Sequence, residues 1–338
     1  MLEIINRTPH TVALIPFSDK AGRDHAGVVI KGTWSLGPGE DPTLAEEQQP
    51  ILRADTRNGP APDASLRYAA DTGWPKLATD IALVGHAHAR GARCAELDVG
   101  VQIGELRKTV RVFGDRVWFK SVLAWDITKP RPFDRVPLVY ERAYGGRDTT
   151  HADPKHHAWE PSNPVGTGFA VSSRPERLEG LLLPNLEDPR NLIATWKDRP
   201  PPAGFGFIDG FWAPRARFAG TYDEAWQSTR APLLPADFDE HFFNAAHPDL
   251  VASGHLTGGE PVLIVNADPS GRIAFRVPRR RFDVLAVIKG RQVPAEPRLD
   301  TLWIDTDNRL VVLVWRAAIP CPRCFLGIEA VFVKEVKP

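Results

Sequence analysis

The stretch Leu97-Asp98-Val99-Gly100-Val101-Gln102-Ile103 alternates apolar residues with Asp, Gly and Gln over its whole length. Side chains along a β-strand point to opposite faces in turn, so this period of two predicts a strand with one face in the core and one in water. Residues 107–120 repeat the pattern, with Gly114-Asp115 at a candidate reversal. A two-residue loop with glycine first is typical of a type II′ turn, and this segment therefore predicts a β-hairpin.

Further strands are predicted on both sides of this stretch. On the N-terminal side the candidates are residues 10–17, 26–36 and 79–89. On the C-terminal side they are Val262–Asn266, Arg272–Val277, Val284–Lys289, Leu299–Asp305, Arg309–Arg316 and Ile328–Val333. Thr306-Asp307-Asn308 has the composition of a turn between two of them. Helices do not alternate with these strands, which favours a mainly β fold.

The middle of the chain lacks a regular period and is rich in proline, which interrupts helices and central strands. A structureless loop of this length is not expected in a compact domain. We therefore predict short strands, turns and short helices there, with helices at 223–228 and 237–247 and Asp237 as the N-cap of the second. Four tryptophans are expected to dock the segment on the rest of the protein: Trp159, Trp196, Trp212 and Trp226.

These observations predict a mainly β protein with two sheet-based lobes, sandwich or barrel-like, around a long irregular segment rich in Pro, Gly and aromatic residues, with a few short helices. The predicted boundaries are an N-terminal β lobe at 1–127, the irregular segment at 128–248 and C-terminal strands at 249–338. As an alternative, the C-terminal strands at 249–338 form one continuous domain with the N-terminal lobe. The length of 338 residues fits one large or two medium domains.

Charge and composition argue against several classes of partner. The chain has 42 basic and 42 acidic residues, and this balance does not favour nucleic acid or an anionic membrane. Residues 1–6 lack the basic and apolar regions of a secretory signal, and no apolar run approaches the roughly 20 residues of a membrane-spanning helix. Three cysteines are too few for a disulfide framework. We expect a cytoplasmic protein that binds no nucleic acid and does not insert into a membrane.

Cys321-Pro322-Arg323-Cys324 is the sharpest short motif for metal or redox chemistry. Two thiolates at this spacing can share a zinc ion, but a structural site needs two more ligands and the sequence holds no second such pair. A redox role requires a thioredoxin-like βαβ context, whereas the pattern here is strand, turn, strand. We interpret Cys321 and Cys324 as reduced cysteines in a turn, with metal binding and a redox role or labile disulfide as the alternatives.

Two groups of histidines are further candidates, because imidazole and carboxylate suit zinc, nickel or iron. The first group lies in a proline-flanked loop and comprises His151, Asp153, His156, His157 and Glu160. The second is His86 and His88, which share one face of a predicted strand. We interpret both groups as solvated side chains, with metal binding as the alternative, and predict no cofactor.

Signatures of common enzyme classes are missing from the sequence. It contains no G-x-S-x-G elbow, no H-E-x-x-H and no Walker loop. The glycines at 204–210 miss the dinucleotide pattern and follow three prolines, so we interpret them as a turn. Carboxylates are plentiful, which leaves a glycosidase pair open as an alternative. The protein is predicted not to be an enzyme.

Arginine and aromatic residues of the middle segment are the remaining candidates. They are Tyr140, Arg142, Tyr144, Arg147, Trp212, Arg215, Tyr222 and Trp226. Such residues anchor protein interfaces. The alternative is that guanidinium forks bind loop carbonyls and rings fill the space beneath. Gly145-Gly146 is expected to serve a backbone turn with positive φ.

Three stretches of this segment carry a family resemblance: Pro137–Asp148, Asn163–Gly168 and Pro214–Asp223. Further blocks that carry it are Asn6–Pro9, Val29–Trp34, Thr79–Ala87, Val112–Trp118, Leu183–Glu187, Pro235–Asp239, Phe242–Ala246, Gly258–Glu260, Asp300–Asp305 and Leu313–Arg316. Together they resemble the accessory family of unknown-function domains encoded in bacterial type VI secretion clusters beside VgrG spike and PAAR-like tip genes.

The resemblance implies an adaptor or chaperone. Such a protein would bind a secreted effector or its PAAR-like tip domain in the cytoplasm and promote loading onto the VgrG spike. It carries over no catalytic residues, which agrees with the missing enzyme signatures. The alternative is a polysaccharide-acting hydrolase or carbohydrate-binding module that uses the central aromatics and carboxylates.

Overall fold

The computed structural model describes residues 2–38, 41–321 and 324–337. The strands of the N-terminal half are β1 Glu3–Arg7, β2 Thr11–Ser18, β3 Asp24–Ser35, β4 Thr43–Leu44, β5 Thr56–Arg57, β6 Leu66–Tyr68, β7 Asp80–Val84, β8 His86–His88, β9 Glu96–Ile103, β10 Leu106–Phe113, β11 Trp118–Lys120, β12 Trp125–Ile127 and β13 Arg135–Pro137. Those that follow are β14 Tyr144–Gly145, β15 Arg147–Asp148, β16 Ala158–Trp159, β17 Thr167–Gly168, β18 Leu186–Glu187, β19 Pro261–Val265, β20 Arg272–Arg276, β21 Arg281–Ile288, β22 Arg291–Ala295, β23 Arg298–Asp305, β24 Leu310–Pro320 and β25 Ile328–Val336.

The helices are short. They are α1 Pro175–Leu178, α2 Ala213–Ala216 and α3 Glu224–Thr229, with 3₁₀ turns η1 Tyr140–Arg142, η2 Pro154–His156, η3 Glu240–Phe243, η4 Pro248–Leu250 and η5 Cys324–Gly327. The mainly β prediction is confirmed. In the described part of the chain no helix is long and apolar enough to cross a membrane.

Three larger sheets organise the chain. The central sheet has the order β2-β3-β24-β23-β7, with β4 beside β3, and is antiparallel except where β23 pairs with β7. A five-stranded antiparallel sheet has the order β18-β10-β9-β19-β20, and a four-stranded sheet has the order β1-β25-β21-β22. Strands from the two ends of the chain thus lie side by side in two of the sheets. None of these sheets closes into a barrel within the described residues, so the barrel-like alternative is wrong.

The central sheet is buried on both faces, which explains why β3 and β24 read as nearly continuous apolar runs. On one face, residues such as Val28, Ile30 and Leu313 pack against buried residues of both other sheets in one continuous core. Each such side chain stabilises the fold by roughly 1.5–3 kcal/mol on burial. The other face, which includes Trp303, packs against residues of the covering segments such as Phe207.

Three buried ion pairs lie among the apolar residues of this second face. Lys31 pairs with Asp71 at 2.7 Å, Lys76 with Asp80 at 2.6 Å, and Arg316 with Asp300 at 2.6 Å. The Arg316 guanidinium also donates to the backbone carbonyl of Asp71. Buried charges are tolerated when they are paired and hydrogen-bonded. Here they tie the segment around residues 50–76 to the central sheet.

The predicted hairpin at Gly114-Asp115 is wrong. β9 and β10 form the hairpin instead, through the two-residue loop Gly104-Glu105, where Gly104 adopts φ +57°. Gly114 serves a close approach, since a Cβ there would lie 1.7 Å from the carbonyl oxygen of Arg131. The predicted turn at 306–308 is confirmed by the antiparallel pairing of β23 with β24.

Helix prediction in the middle segment succeeds in part. Asp223 caps α3 by accepting from the Trp226 N–H at 2.8 Å. The second predicted helix is shorter, and Asp239, not Asp237, caps η3 by accepting from the His241 N–H. Asp237 instead accepts from Thr221.

The middle segment carries a small core of its own. Its buried members are Trp118, Tyr144, Ala170, Leu178, Leu183 and Ile193. Of the four tryptophans expected to dock the segment, Trp212 is buried and Trp196 and Trp226 are half-buried. The docking prediction is wrong for Trp159, which is 56% exposed.

Candidate partner-binding surface

A groove of about 530 Å³ lies where the middle segment meets the loop at residues 58–64. Its other wall comes from Val139, Glu141, Gly146 and Arg147, and from residues 164–166. We call it the central groove. Two of the sequence blocks singled out above, Pro137–Asp148 and Asn163–Gly168, thus meet in one wall.

Glycine allows the two blocks to lie backbone against backbone. Gly145 and Gly146 adopt φ +145° and +110°, which confirms the expected positive φ. A Cβ on Gly145 would lie 2.1 Å from the Asn163 carbonyl oxygen, and one on Gly146 would lie 2.6 Å from the Gly166 carbonyl oxygen. The wall therefore has no room for side chains at these positions.

Asn163 locks the same wall from inside. It is fully buried, and its amide nitrogen donates to the backbone carbonyls of Tyr140 at 2.8 Å and Tyr144 at 3.0 Å. Thr167 donates its hydroxyl to the Glu141 carbonyl at 2.8 Å. These bonds satisfy carbonyls that the short strands leave free, so an irregular segment is held in one conformation.

Side chains connect the two walls across the groove. Glu141 accepts from the N–H and the hydroxyl of Ser65, both at 2.7 Å. Arg147 pairs with Asp63 at 3.1 Å, and both side chains are about half exposed. The hydrogen bonds from Ser65 to Glu141 fix the loop at residues 58–64. The pair with Asp63 holds the Arg147 guanidinium at the surface.

Two exposed rings belong to segments next to that of Arg147, although neither ring lines the groove. Trp159 is the cross-strand partner of Arg147 in the β15–β16 pair. Phe211 is 91% exposed and lies two residues before Ala213, whose N–H donates to the Pro161 carbonyl at 2.8 Å. Sequence reasoning did not include either ring among the binding residues. The one signal in the sequence was their aromatic character, because no period distinguishes exposed from buried rings in this segment.

Three of the predicted binding residues lie in the interior. Tyr140, Tyr144 and Trp212 are 2%, 2% and 4% exposed. The Tyr140 ring packs edge-on against Trp212 with centroids 5.4 Å apart. Burial raises the pKa of Tyr144 to about 12. These rings support the groove from beneath and do not reach its surface.

The predicted arginines differ in location, since one bonds internal carbonyls and another lines the groove. Arg215 donates to the carbonyls of Phe242 and Ile208 and stacks on the Phe242 ring, and burial lowers its pKa. Arg142 is 44% exposed, donates to the Asn185 side chain and does not line the groove. The structure therefore brings Arg147, but not Arg215, to the groove.

Tyr222 and Trp226 form a separate pair on and beside α3. Tyr222 is 53% exposed, and its ring lies 4.7 Å from that of Trp226. The Trp226 indole donates to the Leu233 carbonyl at 2.8 Å, so this ring is anchored.

The predicted metal candidates do not assemble in the described parts of the chain, where no group of three or more His, Cys, Asp or Glu side chains is arranged to hold an ion. His151 and His156 have ring centroids 4.4 Å apart in an exposed loop, and His86 pairs with Asp307 at 2.7 Å. Cys321 is buried. The prediction for the Cys324 side chain lies outside the described residues.

A family model described as an uncharacterized protein conserved in bacteria, DUF2169, matches residues 21–316. The matched range includes both walls of the central groove and the two exposed rings. No curated protein and no solved structure matches the chain.

Proposed function

The chain belongs to the DUF2169 family of uncharacterized proteins conserved in bacteria, and we propose that it is a non-enzymatic adaptor that binds a partner protein at the central groove. One observation carries this proposal: Arg147, which lines the groove, faces Trp159 across a strand pair, and Trp159 and Phe211, which lie outside the groove lining, expose 56% and 91% of their surface. Trp and Arg are enriched among the residues that dominate binding energy. A partner that covers these rings would remove apolar surface from water.

The rigidity of the groove supports the same conclusion. Binding costs free energy when loops and side chains must be ordered at the interface. Here the glycine contacts at 145–146 and the Asn163 hydrogen bonds already fix the backbone that presents Arg147. A surface prepared in this way loses little entropy when a partner docks.

Our finer proposal concerns the identity of the partner. We propose a type VI secretion effector, or the PAAR-like tip domain joined to it, held in the cytoplasm and loaded onto the VgrG spike. The support is the resemblance given above, since the blocks Pro137–Asp148 and Asn163–Gly168 that carry it also build one wall of the groove.

Hydrolysis of a polysaccharide fits the groove less well. A glycosidase needs two carboxyl groups that are free to act at the scissile bond. The carboxylates lining this groove are Glu141, which accepts two hydrogen bonds from Ser65, and Asp63, which pairs with Arg147. Both are occupied by structural contacts, which favours binding over catalysis.

The first experiment is co-expression of this chain with a PAAR-like protein and with a type VI secretion effector, followed by pull-down and light scattering. We expect a complex of defined mass, and an effector that stays soluble only when this chain is present. Absence of a complex at both low and moderate salt would contradict the adaptor proposal. A pull-down on insoluble polysaccharide then tests the carbohydrate-binding alternative, for which Trp159 is the candidate sugar platform.

A further inference from the structure

A second cleft, of about 1040 Å³, opens beside the four-stranded sheet, on residues that do not overlap those of the central groove. Its apolar floor includes Phe282, Leu299 and Trp315. Its walls come from the start of β21, the connection between β22 and β23, and the loop at residues 255–257. We call it the β21 cleft.

The cleft exposes a stretch of unpaired strand edge. Residues 281–283 pair with β25 on one side. On the other side β22 reaches only as far as Val284, which pairs with Ala295, and Pro297 follows soon after. Proline cannot donate to a strand ladder, so it suits the end of an edge strand. Within the described residues, no strand covers 281–283 on the cleft side.

The cleft also carries an excess of positive charge. Four arginines line it, against the carboxylates of Asp283 and Glu296. Arg280 is engaged, since it pairs with Glu335 at 3.1 Å. Arg298 lies 3.8 Å from Glu296, but the two side chains are 62% and 83% exposed, so this pair is weak.

The other two arginines are Arg279 and Arg281, and both are exposed. Arg279 bonds only a backbone carbonyl, that of Gly258. Neither has a carboxylate partner among the described parts of the chain. Arg281 lies on the open edge itself, and Arg298, which is 62% exposed, begins β23 and also lines the cleft.

We propose that the β21 cleft binds an extended acidic peptide, which adds a strand to the open edge of β21 and places carboxylates on Arg281 and Arg298. An unpaired strand edge recognises peptide backbone by main-chain hydrogen bonds, and the flanking side chains supply specificity. Opposite charges on directly facing strands stabilise such a pair. The carboxylate of Asp283 disfavours an acidic residue opposite it, so the cleft selects acids at some positions and not at others.

A peptide fits these features better than a nucleic acid does. Single-stranded nucleic acid is bound by stacking its bases on exposed rings within a basic groove. The rings of the β21 cleft are those of Phe282 and Trp315, which are 6% and 4% exposed and are engaged with each other at 5.0 Å. The part of the cleft that is open to a ligand is the backbone edge at residues 281–283. A peptide backbone can form main-chain hydrogen bonds with such an edge.

Fluorescence polarisation tests this with a labelled peptide in which Glu alternates with Val. Three matched probes accompany it: the same peptide with Lys for Glu, the same peptide with N-methylated backbone amides, and a labelled oligo-dT. We expect the Glu peptide to bind the full-length protein, and the Lys and N-methylated peptides to bind at least roughly tenfold more weakly.

Arg281→Glu and Arg298→Glu should each weaken binding of the Glu peptide roughly tenfold, the scale of one lost charge-assisted contact. Both side chains are exposed, so neither change disturbs the core. Arg291→Glu is the matched control, because Arg291 is also exposed on this sheet but does not line the cleft. Its affinity should stay within about twofold of wild type.

Three outcomes would overturn the proposal. The first is no binding of the Glu peptide, or equal binding of the Lys peptide. The second is unchanged binding after N-methylation, which would leave only a nonspecific anion patch. The third is tighter binding of oligo-dT than of the peptide, which would assign the cleft to nucleic acid. Because the cleft and the central groove share no residues, this test is independent of the adaptor proposal.

Discussion

The ammonium group of Lys31 lies 2.7 Å from the carboxylate of Asp71, and both side chains are almost wholly buried, at 1% and 4% exposure. Lys31 belongs to β3 of the central sheet, and Asp71 to the segment that covers it. The same ammonium donates to the Pro50 carbonyl, and the Asp71 carboxylate also accepts from the Leu52 N–H. The pair therefore fastens the covering segment, which continues into one wall of the central groove.

Replacement of Lys31 by Met should cost about 3–5 kcal/mol of unfolding free energy, since it leaves the Asp71 carboxylate buried and without its cation. Urea unfolding followed by tryptophan fluorescence measures this as a lower midpoint. The double variant Lys31→Met with Asp71→Asn should recover part of the loss, because no buried charge then remains.

Arg93→Met is the control for this prediction. Arg93 and Asp134 also pair at 2.8 Å, but their side chains are 66% and 67% exposed. Exposed pairs contribute little, so the midpoint should not change measurably. If Lys31→Met unfolds at the wild-type urea concentration, the pair does not fasten the covering segment.

Gly145→Ala should destabilise the protein by about 2–4 kcal/mol, from strained backbone and a forced contact. The added Cβ would lie 2.1 Å from the Asn163 carbonyl oxygen at φ +145°. Thermal unfolding measures the loss, and partner binding should weaken with it because the groove wall must shift. Gly59→Ala is the matched control in the same groove: its Cβ meets no atom within 4 Å, so stability should stay near wild type. Equal effects of the two changes would contradict the packing argument.

The strand pattern could be read from the sequence where one face is wet. The alternation at 97–103 corresponds to β9, whose burial alternates in the same way. The misassigned hairpin has a physical reason, since a glycine serves both tight turns and close backbone approach. Gly114 serves the second, against Arg131, and a contact between segments so far apart in sequence leaves no local pattern.

The candidate surface was predicted less well than the fold. The sequence singles out Arg and aromatic residues of the middle segment, and in the structure some of them are buried and others are exposed. An irregular segment has no period that distinguishes inside from outside, so the burial of Tyr140 against Trp212 and the exposure of Phe211 follow only from tertiary contacts.

Trp159→Ala and Phe211→Ala should each weaken partner binding by about 10–30-fold if these rings anchor the interface. Neither change should lower the unfolding midpoint, because both rings already face water. The measurement is the Kd of the complex by calorimetry, with circular dichroism to confirm the fold. Leu326→Ala is the control, since Leu326 is 84% exposed and belongs to η5, outside the middle segment that carries both rings. Wild-type affinity in both ring variants would show that neither ring anchors the interface, which removes the observation on which the adaptor proposal rests.

The last prediction concerns stability at acid pH and depends on His247, which packs in a charged cluster against β10. The Lys108 ammonium lies 3.4 Å from its Nε2 atom, and its Nδ1 atom accepts from the Asp249 N–H. Burial, and then the Lys108 charge, lower the pKa of His247 to about 4, while the Asp249 carboxylate opposes this shift. Asp188 and Arg190 lie close enough to influence the pKa of Lys108, and Arg190 also influences that of Asp249.

A lowered histidine pKa means that the unfolded chain binds a proton more readily than the folded one. Stability should therefore be complete above about pH 6.5 and fall as the pH drops towards 4, by about 1–3 kcal/mol for this residue. The pKa values of His10 and His88 are also lowered by burial, so they contribute with the same sign. His247→Asn keeps an acceptor for the Asp249 N–H but cannot titrate. Urea unfolding between pH 4 and 7 should show a shallower loss of stability for His247→Asn than for wild type. Parallel curves for wild type and His247→Asn would show that the folded cluster accepts the proton as readily as the unfolded chain does.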